Sequence, residues 1–325
     1  MTDTFAATLQ RQLAIPVIAA PMFIVSNPAL VIAQCAAGIV GSMPALNARP
    51  QPLLRDWLKT IHDGLDALRV RNPGAPIPPY AINHIIHASN PRLQADLEVC
   101  AEFRTPLIIT SLSAPGPIIE AVHRWGGKVF HDVTTLRHAR KALDAGVDGL
   151  ILVCAGAGGH AGTLSPFALL GEVRRIFDGP VVLSGAISRG DDILAARAMG
   201  ADFAYMGTRF IASQEANASQ AYKDMLVESA ASDIVYTPYF TGIPGNYLRA
   251  SIRAAGLDPD ALPSTPQQAN LGLLADTDAK AWRDIWGAGQ GVGNIRGIQP
   301  TADIVAQLTK EYRQAQHRLA TTLRS

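Results

Sequence analysis

Cysteine is scarce in this chain. The three present, Cys35, Cys100 and Cys154, are too few and too scattered for a disulfide framework or a zinc site. No excess of one charge exists either: 28 Lys plus Arg face 27 Asp plus Glu, so the formal net charge of +1 offers no whole-molecule attraction to nucleic acid or an acidic membrane. No apolar run approaches the roughly 20 residues that span a bilayer. The first residues lack the basic-then-apolar layout of a secretory signal. Aromatics are only 6%, yet 48% of the residues are hydrophobic, which excludes a disordered chain. These absences predict a soluble, cytoplasmic protein with no metal, nucleic-acid or membrane partner.

What the chain does have is an alternation of short apolar runs and amphipathic stretches. Strands are expected at Ile15–Ala20, Ile39–Met43, Pro79–Asn83, Leu107–Thr110, Lys128–Val133, Gly149–Val153, Val181–Ser184 and Phe203–Met206. Helices are expected between most of them. Asn27-Pro28 and Ser165-Pro166 have the cap-then-proline order of a first turn, and Gly38, Gly146 and Gly200 close helices. Asp144-Ala145-Gly146-Val147-Asp148 and Ala198-Met199-Gly200-Ala201-Asp202 are near copies of one helix-to-strand joint, the mark of repeated βα units and a parallel sheet. Eight units within about 210 residues match a (β/α)8 barrel better than an open doubly wound sheet, whose Gly-x-Gly-x-x-Gly after the first strand is missing. We therefore expect an α/β protein with residues 1–212 and 298–325 forming the barrel. Residues 213–297, which include a loop-like passage from Asp233 to Tyr247, Trp282, Trp286 and the glycine-rich Gly287–Gly293, would form a smaller, mostly helical cap.

In a barrel the useful residues follow the strand ends. Pro21, Met22 and Phe23 could face a flat ring, and Asn83 and His131 lie at strand ends. Ser184-Gly185-Ala186 and Met206-Gly207-Thr208 occupy the two loops where barrels often hold a phosphate, because glycines let backbone N–H groups converge on its oxygens and a helix N-terminus adds its dipole. The bland alternative is that they only make tight turns. His160 sits in the glycine-rich Gly156–Thr163 loop, where an imidazole can take a carbon-bound proton, hydrogen-bond a carbonyl or nitro oxygen, or merely order its loop. His131 can equally touch a ligand or satisfy a backbone carbonyl; His84 is a weaker candidate for the same mouth, and His138 reads as a surface residue of a helix.

Ala20-Pro21-Met22, Ala157-Gly158-Gly159-His160-Ala161-Gly162-Thr163, Ser184-Gly185-Ala186 and Met206-Gly207-Thr208-Arg209-Phe210, in this order, resemble the nitronate monooxygenase family, formerly 2-nitropropane dioxygenases. These are FMN-dependent TIM-barrel flavoproteins, and the resemblance runs along essentially the whole chain. It implies that Pro21, Met22 and Phe23 lie along the flavin ring and that Asn83 meets its polar edge. It also implies that Gly158 and Gly159 approach the flavin, that Ser184, Gly185, Ala186, Gly207 and Thr208 hold the FMN phosphate, and that His160 is the catalytic histidine. The implied reaction oxidises a small nitronate or nitroalkane with dioxygen to a carbonyl compound and nitrite. The alternative on the same scaffold is NAD(P)H-dependent reduction of quinones or enoyl thioesters. A non-catalytic flavin barrel is a third reading, against which His160 is retained. The chain departs from relatives at Gly156, where many carry glutamate, at Val153-Cys154, and at Asp132, where one branch carries lysine; these positions bear on flavin-edge contacts and substrate choice.

Overall fold

A computed structural model of the chain describes residues 4–263 and 283–322. Trp282, and the part of the 271–297 stretch that precedes residue 283, lie outside the described residues. Eight parallel strands form one sheet: β1 (Val17–Ala19), β2 (Gly41–Pro44), β3 (Tyr80–Ile86), β4 (Leu107–Leu112), β5 (Lys128–Val133), β6 (Gly149–Val153), β8 (Val181–Ser184) and β9 (Phe203–Met206). The two-residue β7 (Gly159–His160) belongs to a second sheet. The large sheet runs β1-β9-β8-β6-β5-β4-β3-β2, and a parallel bridge between Ile18 and Val40 joins its two edges into a barrel.

Alternation along each strand divides the side chains between two cores. Ile18, Val40, Ala81, Ile109, Phe130, Ile151, Val182 and Phe203 fill the barrel, with α1 (Phe5–Gln10) packed against one end through the edge-to-face pair Phe5–Phe130 at 5.9 Å. Phe130 is paired with Gly149, and a Cβ on that glycine would stand 2.5 Å from the Phe130 ring, so the small residue makes room for the large one. The alternate residues, among them Ile82, Ile108, Val129, Leu150 and Val181, face the helix layer.

That layer comprises α2 (Pro28–Ala36), α3 (Leu53–Arg71), α4 (Leu93–Glu102), α5 (Gly116–Arg124), α6 (Leu136–Asp144), α7 (Pro166–Arg174) and α8 (Gly190–Ala198). Asn27 caps α2 by accepting from the Leu30 amide, ahead of Pro28 in the first turn. Ser165 precedes Pro166 but makes no side-chain cap bond. The repeated helix-to-strand joint has a physical cause. Gly146 and Gly200 take φ of 92° and 104°, and the following Asp148 and Asp202 each bind the preceding strand twice. The Asp148 amide donates to the Val129 carbonyl while its carboxylate accepts from the Val129 amide, and Asp202 does the same with Val181.

Behind β9 the helix α9 (Thr208–Ile211) is only one turn long. The residues between it and Thr301 include α10 (Gln220–Glu228), α11 (Arg249–Ala254) and the strands β10 (Ile234–Thr237) and β11 (Gly245–Leu248), which form an antiparallel sheet with β7. The passage expected to be a loop thus holds two strands, the first of them the β-branched run Ile234-Val235-Tyr236-Thr237 ended by Pro238. Finally α12 (Thr301–Thr322) packs between α8 and α2, where a helix following β9 would lie. None of the described helices is long and apolar enough to cross a membrane.

Candidate active site

The C-terminal ends of the strands open into a cavity of about 610 Å³, of the size expected for a cofactor site. Twelve of the expected site residues line it: Pro21, Met22, Phe23, Asn83, Gly158, Gly159, His160, Ser184, Gly185, Ala186, Gly207 and Thr208. The Pro21–Phe23 wall is held by Asn47, whose side chain accepts from the Ile24 amide (2.9 Å) and donates to the Met22 and Ser26 carbonyls (2.9 and 2.8 Å). These bonds keep Ile24 at φ 67°, a conformation that a β-branched residue adopts only under constraint. The Arg49 guanidinium lies 4.8 Å from the Phe23 ring centroid.

His131 and Met206 are placed elsewhere. Both occupy the strand positions that point to the helix layer: Met206 packs with Ile15, Val17 and Phe210, and His131 is buried 2.8 Å from the Thr110 hydroxyl, with burial lowering its pKa to about 4. His84 shares that parity. It sits 3.4 Å from the Cys100 sulfur, and burial brings its pKa down to about 3. Their strand neighbours Asp132 and Tyr205 line the cavity instead. So does His138, expected on the surface, whose Nδ1 is 3.0 Å from the Thr134 hydroxyl. Period-two reading of β5 and β9 against their apolar residues carries the signal that selects Asp132 over His131 and Tyr205 over Met206.

His160 is positioned by strand pairing. β7 runs antiparallel to β11, with His160 opposite Gly245 and Gly159 opposite Asn246. The Asn246 side chain donates to the Ala157 carbonyl at 2.6 Å. The His160 Nε2 is 2.9 Å from the Thr241 hydroxyl, which also lies 3.0 Å from the Ile243 carbonyl. Burial lowers the His160 pKa to about 4, so the ring is neutral near pH 7.

The expected phosphate loops are joined by a third strand of chain. Gly287, Gly289 and Gly291 also line the cavity. The Gly289 amide donates to the Thr208 hydroxyl (2.9 Å) and the Gln290 amide to the Gly156 carbonyl (2.9 Å). A Cβ on Gly158 would lie 2.8 Å from the Gly289 nitrogen, so this close approach of two backbones demands glycine there. Gly185 takes φ of 132° and Ala186 φ of 57°. The helix dipole expected to assist is committed elsewhere: the amides at the start of α8 bond to carboxylates, Arg189 to Asp192 and Gly190 to Glu311. No Lys or Arg belongs to the lining among the described residues, so an anion here would meet neutral donors only. Nor is any cluster of three His, Cys, Asp or Glu among them placed to hold a metal ion. The Cys154 thiol, buried next to the loop, is pushed up to about 12 and has no thiolate character.

A polar row crosses the opposite wall on three adjacent strands. Asn83 donates to the Ser111 hydroxyl (2.8 Å), and Ser111 donates to Asp132 Oδ2 (2.6 Å). Burial raises the Asp132 pKa to about 7, against the lowering effect of Ser111.

A family model for nitronate monooxygenase matches residues 77–311, which include β3 through β11, His160 and the glycine segment. The chain belongs to the nitronate monooxygenase family. Members are flavin-dependent oxidoreductases, and this chain is such an enzyme. It is 29% identical to a nitronate monooxygenase of Paraburkholderia phytofirmans, with 92% of this chain and 93% of the relative aligned. Among solved structures it is similar to nitroalkane oxidase from Streptomyces ansochromogenes (25% identity, TM-score 0.77, 96% of this chain and 99% of the other). It is also similar to FabK from Thermotoga maritima (25% identity, TM-score 0.76, 99% of this chain and 100% of the other).

Proposed function

We propose that this nitronate monooxygenase family member binds FMN in the cavity and oxidises small alkyl nitronates with dioxygen to a carbonyl compound and nitrite. The observation that carries the reading is His160: a neutral imidazole on the cavity wall, its Nε2 held against the Thr241 hydroxyl. FMN, when bound, supplies the electron chemistry between nitronate and dioxygen. The composition of the cavity suits a phosphorylated flavin. Apolar Pro21, Met22 and Phe23 suit a ring face, while Ser184, Thr208 and the glycine loops at 185 and 207 offer neutral donors to a phosphate.

The depressed pKa of His160 favours nitronates over neutral nitroalkanes. An imidazole that resists protonation is poorly matched to removing a carbon-bound proton, whereas a nitronate has already lost it. With its proton on Nδ1 and Nε2 accepting from the Thr241 hydroxyl, His160 would then donate a hydrogen bond to a nitronate oxygen. The test is oxygen uptake and nitrite release by the FMN-loaded enzyme with propionate 3-nitronate. Both are expected, with nitroethane turned over far more slowly; a fully flavinated enzyme that yields neither product overturns the reading.

The full-length likeness to FabK supports a second reading, an NAD(P)H-dependent reductase of enoyl thioesters or quinones. Rapid bleaching of the flavin by NADH or NADPH without oxygen would favour it.

A further inference from the structure

We propose that Asp132 is a specificity-determining residue of the cavity: with its carboxyl protonated the cavity admits anionic ligands such as nitronates, and with it ionised the cavity rejects them. The proposal rests on reading this cavity as the nitronate site. Its starting point is an imbalance in the lining. Among the described residues that line the cavity there is one carboxyl group, Asp132, and no Lys or Arg to offset it. Ser111 donates to Oδ2, but Oδ1 is buried with no hydrogen-bond partner. An ionised carboxylate so placed is costly, whereas a proton on Oδ1 removes the charge. Tyr205 reaches the same region from β9. Its hydroxyl is likewise buried without a partner, and it lies near enough for the charge of Asp132 to raise its pKa.

The groups packed around Asp132 supply no fixed counter-charge. Asn83 on β3, Ser111 on β4 and Val153 on β6 are neutral. His138 on α6 and His160 on β7 are both held below the ordinary histidine value by burial, and Tyr205 and Tyr236 are held above the ordinary tyrosine value. With its pKa raised to about 7, the Asp132 carboxyl changes charge around neutrality. A second negative charge entering the cavity then meets direct repulsion from Asp132 on the alkaline side and none on the acid side.

Calorimetric titration of the FMN-loaded protein with propionate, whose two oxygens mimic a nitronate, and with neutral propionamide tests this. A group titrating near 7 loses about twentyfold of its protonated form between about pH 6.5 and about pH 8.5, and propionate affinity should fall by about that factor while propionamide affinity stays level. Asp132→Asn should bind propionate with the same affinity across this range. Ser111→Ala, which removes the bond that lowers the Asp132 pKa, should move the midpoint of the propionate curve to higher pH, a shift that a merely structural role does not produce. Any contribution from the phosphate of FMN persists in Asp132→Asn and is subtracted. Propionate that does not bind, or the same pH dependence in wild type and Asp132→Asn, overturns the proposal; should Asp132→Asn fail to fold, an unmoved midpoint in Ser111→Ala does so. A pH-dependent preference without nitronate oxidation would remove the functional reading and leave the gate, and oxidation with pH-independent binding the reverse.

Discussion

At His160 two constraints meet. β11 fixes the backbone through its pairing with β7, and the Thr241 hydroxyl holds the ring at Nε2. Because burial holds this imidazole near 4, kcat/KM for a nitronate should show no His160-linked limb above about pH 5. His160→Asn should lower kcat/KM about tenfold to a hundredfold without changing the shape of the pH profile, as loss of one hydrogen bond to a charged ligand does. A profile whose shape changes above pH ~5 in the variant would contradict that role. Asn47 gives a second, purely structural prediction. Asn47→Ala deletes three hydrogen bonds to the Met22–Ser26 turn and releases Ile24 from φ 67°, so denaturant unfolding should report a loss of about 2 to 4 kcal/mol. The residues around these two were legible to different degrees. The glycine loops announce themselves by composition, but a strand-end residue reaches the cavity only if its parity is right, and motif reading ignores parity. Hence His131 and Met206 drew attention that the alternation of Phe130 with Asp132, and of Phe203 with Tyr205, assigns to their neighbours.

Elements of the barrel were legible because each carries its own local signal. The eight apolar runs became the eight parallel strands, and the Gly-x-Asp joints recur because Asp148 and Asp202 solve the same backbone problem. The second sheet was not legible. β7 is two residues long, and its partner β11 lies some 85 positions further on, a pairing no local pattern encodes. Packing of α12 on α8 gives a prediction at this scale. A Cβ on Gly190 would run into the Tyr312 amide and the Leu308 carbonyl (2.5 Å), backbone atoms that cannot yield, and stand 2.5 Å from the Glu311 Cβ. Gly190→Ala should therefore cost about 1 to 3 kcal/mol, measured as a lowered Tm, although the same change in an unpacked helix would be favourable. An unchanged or raised Tm would mean that α12 does not seat against α8 in this way.

Over the whole molecule, the barrel supplies a wall of strand ends and the chain from 213 onward supplies the opposite wall, through Tyr236, Ile243, Pro244 and the glycines at 287, 289 and 291. His160 joins the two, since it belongs to a barrel loop and pairs with β11. Fold and family follow from this arrangement and from the match over residues 77–311; the cofactor's identity and the electron donor are what chemistry has to decide. The most direct measurement is the visible spectrum of the purified protein reconstituted with FMN, followed without oxygen through additions of propionate 3-nitronate and, separately, NADH. The account predicts a yellow protein that the nitronate bleaches, that NADH leaves oxidised, and that releases nitrite when air is admitted. Protein that stays colourless after reconstitution, or flavin that responds to NADH and ignores the nitronate, would contradict it.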